Sequence, residues 1–152
     1  MGKESSKLQM VLRPIGWVRS KVKKTGMRQW DEVVSEVILE PEFVEAADGL
    51  EEFSHIVVLF WMHKIPPEER SLTKTHPQRR MDMPLLGVLA TRAPARPNPI
   101  GLRVVRLLER KGNTLKVKGL DAIDGTPVID IKPYISHDAV GQITVPDWVS
   151  KL

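Results

Sequence analysis

Apolar residues occur along this chain in short runs that are typical of β-strands. The runs are rich in branched and apolar side chains and are separated by Gly, Pro and Asn-containing turns. They predict strands within LQMVLRPIGWVRS (8–20), VVSEVILEPEF (33–43), HIVVLFWMH (55–63), LRVVRLLERKGN (102–113), TLKVKGL (114–120) and DGTPVIDIKPY (124–134).

Two of these runs alternate between apolar and polar positions, as strands with one buried face do. In TLKVKGL, Leu115 and Val117 share one face and the lysines the other, and Lys111-Gly112-Asn113 predicts a hairpin turn before it. In the last run the same alternation places Ile129 and Ile131 opposite Asp130 and Lys132.

The run HIVVLFWMH does not alternate. A strand that is apolar at every position is either buried on both faces or covered on its second face by something other than its own sheet. A small barrel has one interior, so a second subunit is the simplest cover. The C-terminal segment ITVPDWVSKL is the alternative.

About six or seven short strands with few helical periods predict an all-β fold, a small antiparallel β-barrel. Short helical turns are expected at Gly49–Phe53 and after Pro66. We expect residues 1–152 to form one domain, with residues 1–7 frayed and no additional C-terminal domain.

One long segment without strand character, IPPEERSLTKTHPQRRMDMPLL (65–86), is basic. Loops of this length in compact domains are usually functional or disordered. Its RNA-binding candidates are Lys74, His76, Arg79 and Arg80, and a mobile, solvated insertion is the alternative interpretation.

The next segment, ATRAPARPNPIGL (90–102), contains three prolines, which fix their own backbone angles and restrict the preceding residues. A stiff, extended loop of this kind can hold polar side chains in fixed directions at low entropic cost. It is also compatible with a structural crossover between strands.

Charge and composition narrow the function. The 23 Lys and Arg against 19 Asp and Glu give a net charge of +4, which is compatible with a polyanionic partner. The absence of cysteine excludes disulfides and thiolate chemistry and fits a cytoplasmic protein. No run approaches the ~20 apolar residues of a membrane span, no metal-ligand spacing is present, and glycine-rich nucleotide-binding motifs are missing.

Three segments together resemble one known family. FSHIVVLFWMHK, GVLATRAPARPNPIGL and GLDAIDGTPVIDIKPY closely resemble the TrmO (YaeB-like) family over about Pro14 to Tyr134. The resemblance implies a small β-barrel methyltransferase that works as a homodimer, uses S-adenosylmethionine and methylates N6 of N6-threonylcarbamoyladenosine beside the anticodon of certain tRNAs.

The resemblance also implies the site. The family's cofactor contacts fall on Met27, Arg28, Gln29, His63, Lys64, Arg92, Leu102, Asp124, Gly125, Thr126 and Pro127. The chain departs from the common pattern at Met27, where many relatives have proline, and at Ala93 and Ala95, where a serine and an aromatic residue are frequent. A further departure is Arg103, which follows Leu102.

The chemistry of methyl transfer requires a partner for the carboxylate of the cofactor and a route for the proton that leaves N6. Arg92 and Arg96 suit anions, and Arg96 is a further RNA-binding candidate. Arg96, Asn98, Asp124 and His63 are the catalytic candidates, and the sequence assigns the base to none of them. A non-catalytic RNA-binding barrel and a methyltransferase for another modified nucleoside or small molecule are the alternative functions.

Overall fold

The computed structural model describes residues 8–26 and 29–152. Within them, six strands form an antiparallel barrel: β1 (Gly16–Arg19), β2 (Val34–Leu39), β3 (His55–Trp61), β6 (Ile100–Lys111), β7 (Thr114–Lys118) and β8 (Pro127–Pro133). The barrel closes in the order β1-β2-β7-β6-β3-β8. The predicted all-β barrel is confirmed.

Alternation fills the barrel interior with aliphatic side chains. Buried core residues come from all six strands: Val18, Val37, Leu39, Ile56, Val58, Phe60, Val105, Leu107, Leu115, Val117 and Val128. Burial of apolar surface stabilises a fold by about 25 cal/mol per Å², so this cluster makes the main favourable contribution to folding. The predicted hairpin joins β6 and β7 at Gly112, which has a left-handed φ of 58°.

Two strand predictions need correction. Residues 8–15 precede β1 without forming strand: Leu8, Met10 and Val11 are exposed, and backbone hydrogen bonds to Val128 and Glu40 begin at Ile15. In β8 the register with β3 shifts between Leu59 and Phe60, so Ile129 is an extra residue at a bulge. Val128 and Ile131, rather than Ile129 and Ile131, therefore contribute to the core.

Outside the barrel strands, the described chain contains short turns of 3₁₀ helix between irregular segments. They span Pro41–Phe43, Glu45–Ala47, Leu50–Glu52, Pro67–Ser71, Pro77–Arg79, Val88–Ala90, Ser136–Asp138 and Asp147–Lys151. The two predicted helical turns, near Gly49 and after Pro66, are among them. The long basic segment also contains one side of a small antiparallel pair, β4 (Lys74–Thr75) with β5 (Leu86–Gly87), so it is folded rather than a structureless insertion.

β3 has one buried and one partly exposed face, so the cover predicted for its second face lies outside the barrel strands. Ile56, Val58 and Phe60 point into the barrel, whereas Val57, Leu59 and Trp61 point outward. On the paired strand β6, Leu102 and Val104 are 50% and 41% exposed. The C-terminal segment leaves this outer apolar face partly open, since its own Val140, Ile143 and Val145 are exposed.

Candidate active site

The predicted site residues lie on loops that meet at one end of the barrel. Because neighbouring strands are antiparallel, the connections β1–β2 (20–33), β3–β6 (62–99) and β7–β8 (119–126) all begin and end at the same rim. We call this end the barrel mouth. The opposite rim carries residues 40–54, the hairpin at 112–113 and the chain after β8.

The described cofactor candidates all lie on the loops and strand ends that form the barrel mouth. Gln29 is exposed on the first loop, His63 and Lys64 follow β3 directly, and Arg92 lies on the proline-rich loop. Leu102 is near the start of β6, and Asp124 to Pro127 lead into β8. Met27 and Arg28 lie outside the described residues.

The turn before β8 is fixed to the end of β1 by its backbone and side chains. Asp124 accepts hydrogen bonds from the Ser20 backbone N–H at 2.9 Å and from Lys23 Nζ at 2.7 Å. Gly125, with a φ of 81°, donates its N–H to the Val18 carbonyl, and the buried Thr126 hydroxyl donates to the Ile123 carbonyl at 2.7 Å. The turn is therefore a rigid part of the rim.

These contacts bear on Asp124 as a candidate base. The hydrogen bond from Lys23 and that from the Ser20 backbone hold the pKa of Asp124 below its ordinary value. A carboxylate whose charged form is stabilised in this way is a weaker proton acceptor. Its geometry suits an anchor for the turn better than a base.

The proline-rich loop is held in place by two arginines. Arg96 Nη1 donates to the carbonyls of Thr91 and Ala93, at 3.1 and 3.4 Å, so this guanidinium braces its own loop. Arg70 donates from Nε to the Pro97 carbonyl at 2.9 Å, and its guanidinium stacks on Trp61, 5.2 Å from the ring centre.

Asn98 belongs to the same arrangement. Its side-chain oxygen lies 3.5 Å from Arg70 Nη2, and its backbone carbonyl accepts from the Ile100 N–H at the start of β6. The loop is thus tied both to the turn Pro67–Ser71 and to the barrel. These contacts fit the loop-holding role of Asn98, and its catalytic role stays a prediction.

The surroundings of His63 at the mouth disfavour its protonation. Burial, and then the positive charge of neighbouring Lys64, lower the pKa of His63 from its ordinary value of 6.5. At neutral pH the imidazole is therefore neutral, with one ring nitrogen able to accept a hydrogen bond.

Arg92 differs from Arg70 and Arg96 in its contacts. It forms no hydrogen bond with any residue in the described ranges, and its side chain is exposed. A guanidinium without hydrogen bonds to the described residues is available to a ligand anion.

The basic segment contains internal ion pairs. Arg79 pairs with Glu69 at 2.8 Å, and Arg80 pairs with Asp82 at 2.6 Å while donating to the Lys151 carbonyl. His76 Nδ1 lies 2.7 Å from the Met83 carbonyl, and Lys74 is exposed on β4. These pairs reduce the charge that the segment offers to RNA, and RNA contact by these residues stays a prediction.

Arg103, a departure from the common family pattern, was not among the predicted site residues, but it lies at the mouth. Arg103 occupies an inward position of β6, next to Leu102, and its Nη2 donates to Asp31 at 2.9 Å. Its Nη1 lies 4.0 Å from Asp121, on the segment between β7 and β8. In the alternating pattern of β6, Arg103 stands where an apolar residue is expected, and this feature can be read from the sequence alone.

Neither metal chemistry nor a membrane span is indicated by the described part of the chain. Residues 8–26 and 29–152 contain no group of three or more His, Asp or Glu side chains that could hold a metal ion. Within the same ranges, no helix has the length and apolar character needed to cross a bilayer.

Comparison with known proteins identifies relatives of this barrel. Residues 23–139 match the family described as the tRNA-methyltransferase O N-terminal domain. A Methanothermobacter thermautotrophicus protein named "Probable S-adenosyl-L-methionine-binding protein" is 47% identical over 141 residues, covering 90% of this chain and 98% of the relative. A Mus musculus tRNA (adenine(37)-N6)-methyltransferase is 47% identical over 105 residues, covering 68% of this chain and 24% of the relative.

Solved structures share the fold. The crystal structure of TrmO from Pseudomonas aeruginosa superposes with a TM-score of 0.74 at 36% identity, covering 92% of this chain and 62% of that one. The chain therefore spans less than two thirds of the solved TrmO chain and about a quarter of the mouse relative. The family match covers most of its length, and the chain belongs to the tRNA-methyltransferase O N-terminal domain family.

Proposed function

We propose that this protein is an S-adenosylmethionine-dependent methyltransferase that methylates N6 of an adenosine next to the anticodon of tRNA. Relatives whose names state S-adenosylmethionine binding and tRNA adenine-N6 methylation support this activity. The observation that carries it is the convergence of the family's cofactor positions on one rim of the barrel, where Arg92 forms no hydrogen bond with any described residue.

The residues of the mouth fit S-adenosylmethionine by their chemistry. The exposed guanidinium of Arg92 suits the carboxylate of the cofactor, and Leu102 and Pro127 provide apolar surface for its adenosine part. Neutral His63 adds no positive charge next to a cationic sulfonium. When bound, the cofactor would supply an electrophilic methyl group.

The chain's own contribution is positioning. The rigid turn at Asp124 and the braced proline-rich loop keep the walls of the mouth in fixed relative positions, which favours an in-line arrangement of donor and acceptor. Neutral His63 is the described candidate best suited to accept the proton that leaves N6. The ordinary pKa of an imidazole, 6.5, lies well above the 3.8 of a carboxyl group, and Lys23 lowers the pKa of Asp124 further.

We further propose N6-threonylcarbamoyladenosine as the substrate nucleoside, with its extra carboxylate directed to the arginines of the mouth. The cytoplasm, where tRNA is modified, is the proposed location. RNA contact by Lys74, His76, Arg79, Arg80 and Arg96 is part of the same proposal.

We also propose a homodimer in which the outer apolar face of β3 and β6 is the interface. Leu102 belongs both to this face and to the family's cofactor positions, so the interface would border the cofactor site. Partly exposed Val57 and Val104 line a shallow groove there, together with Tyr134 and Ile135.

Incubation with labelled S-adenosylmethionine and total tRNA, followed by nucleoside mass analysis, tests the function. Label is expected in threonylcarbamoyladenosine. Label in another nucleoside would correct the substrate and keep the activity, whereas cofactor binding without transfer to any tRNA would indicate a different acceptor. Tight tRNA binding with no cofactor binding would identify a non-catalytic RNA-binding barrel.

A further inference from the structure

Asp121 has an unusual environment for a carboxylate. Its Oδ1 is buried and has no hydrogen-bond partner among residues 8–26 and 29–152. The side chain as a whole is 34% exposed and belongs to the rim segment between β7 and β8. Within the described residues the other such atom is the Ser35 hydroxyl oxygen, which is neutral and costs far less to bury than a carboxylate.

The arginines near Asp121 do not satisfy it fully. Arg103 approaches Oδ2 only to 4.0 Å and makes its closer contact with Asp31, at 2.9 Å. Arg92, from the proline-rich loop, also attracts the carboxylate but forms no hydrogen bond with it. Burial outweighs both attractions and raises the pKa of Asp121 above its ordinary value.

A positively charged hydrogen-bond donor at the mouth would lower the cost of keeping this carboxylate ionised. We propose that Asp121 is a cofactor-binding residue that, paired with Arg92, recognises the α-amino-acid end of S-adenosylmethionine: Asp121 takes the ammonium group and Arg92 takes the carboxylate. This assignment rests on the proposed function.

The arrangement matches the chemistry of a zwitterion. The two side chains come from different loops, carry opposite charges and lie close enough to attract each other. An α-amino acid presents an ammonium and a carboxylate on one carbon, so a neighbouring carboxylate and guanidinium complement both groups at once. Adenosine offers no such pair of charges.

Two ligands separate this assignment from a general effect on the mouth. S-adenosylhomocysteine and 5′-methylthioadenosine both carry an uncharged thioether, but the second lacks the amino-acid end. Calorimetry on the full chain should show that Asp121→Asn lowers affinity for S-adenosylhomocysteine roughly 10-fold or more, as expected for loss of a charged hydrogen bond. Affinity for 5′-methylthioadenosine should not change.

The control is Asp130→Asn, which removes a carboxylate of β8 that pairs with Lys132 at 3.2 Å on the outer surface. It should bind both ligands like the wild type. Equal losses for both ligands in Asp121→Asn, or no loss for either, would overturn the assignment, as would a wild type that binds the two ligands equally well. A wild type that binds neither ligand would instead refute the proposed cofactor.

Discussion

At the scale of single residues, Gly101 shows how closely the barrel interior is packed. A Cβ atom built on it would lie 2.3 Å from two atoms of the Phe60 ring, and Phe60 is itself buried. We expect Gly101→Ala to lower the free energy of unfolding by about 1–3 kcal/mol, because the ring can move only by disturbing the core around it.

The matched control for this substitution is Gly87→Ala. Its nearest atom would be 3.9 Å away and its φ of −59° suits alanine. Denaturant unfolding of the two variants should therefore give a clear decrease for the first and a change near zero for the second. Equal midpoints would mean that Phe60 moves aside freely.

A second residue-scale prediction concerns the pH dependence of cofactor binding. Since the pKa of His63 is lowered, the imidazole stays neutral until the pH falls below the ordinary histidine range. Protonation then places a second positive charge beside Lys64, which should repel the cationic cofactor. Affinity measured between about pH 5 and 8 should decrease toward acid.

His63→Gln should flatten that profile, and a variant that keeps the acid decrease would exclude His63 as its source.

The lowered pKa of His63 also affects the stability of the fold. The unfolded chain binds the proton more readily, so the stability linked to neutral His63 is complete above the unfolded value of 6.5 and is lost as the pH falls toward the lowered pKa.

At the scale of elements, Arg70 connects the turn Pro67–Ser71 to the proline-rich loop through Pro97 and to β3 through Trp61. We expect Arg70→Ala to speed amide hydrogen exchange around Ala93 to Asn98 and to reduce kcat/KM for methyl transfer about 10-fold, because the loop loses the contact that orients it. Arg70→Lys should give exchange rates and a kcat/KM between those of the wild type and of Arg70→Ala, because lysine keeps the charge but not the planar group.

Arg79→Ala is the control for this prediction. It removes an arginine of the next turn that pairs with Glu69 on the protein surface, so the loop should keep its exchange rates. If Arg70→Ala changes neither exchange nor methyl transfer, the proline residues alone hold the loop.

The elements also show what a sequence can predict. Alternation in TLKVKGL placed its side chains correctly, because burial of one face determines which positions are apolar. The unbroken apolar run of β3 predicts a cover for its outer face, and that cover stays a prediction, because Val57, Leu59 and Trp61 are only partly buried. The absence of strand at residues 8–15 and the bulge at Ile129 depend on which strand lies alongside, which no local pattern encodes. The contacts of Arg70 and the Asp121 environment arise between distant segments for the same reason.

At the scale of the whole molecule, the outer apolar face of β3 and β6 predicts assembly. Val104 on this face is 41% exposed, and Val34, on the outer face of β2, is 42% exposed. Val34 is therefore a matched control, with the same exposure at a different place on the barrel. We expect Val104→Glu to convert a dimer into monomers, because pairing would bury an uncompensated charge at a cost of several kcal/mol. Val34→Glu should leave the dimer intact.

Sedimentation at low micromolar concentration would measure both variants and the wild type, with cofactor affinity determined in parallel. Because Leu102 lies beside Val104 on β6 and is also a cofactor candidate, loss of the dimer should weaken cofactor binding at the same time. A monomeric wild type with undiminished affinity would show that each barrel mouth is complete by itself. The apolar outer face would then require an occupant other than a second copy of this chain.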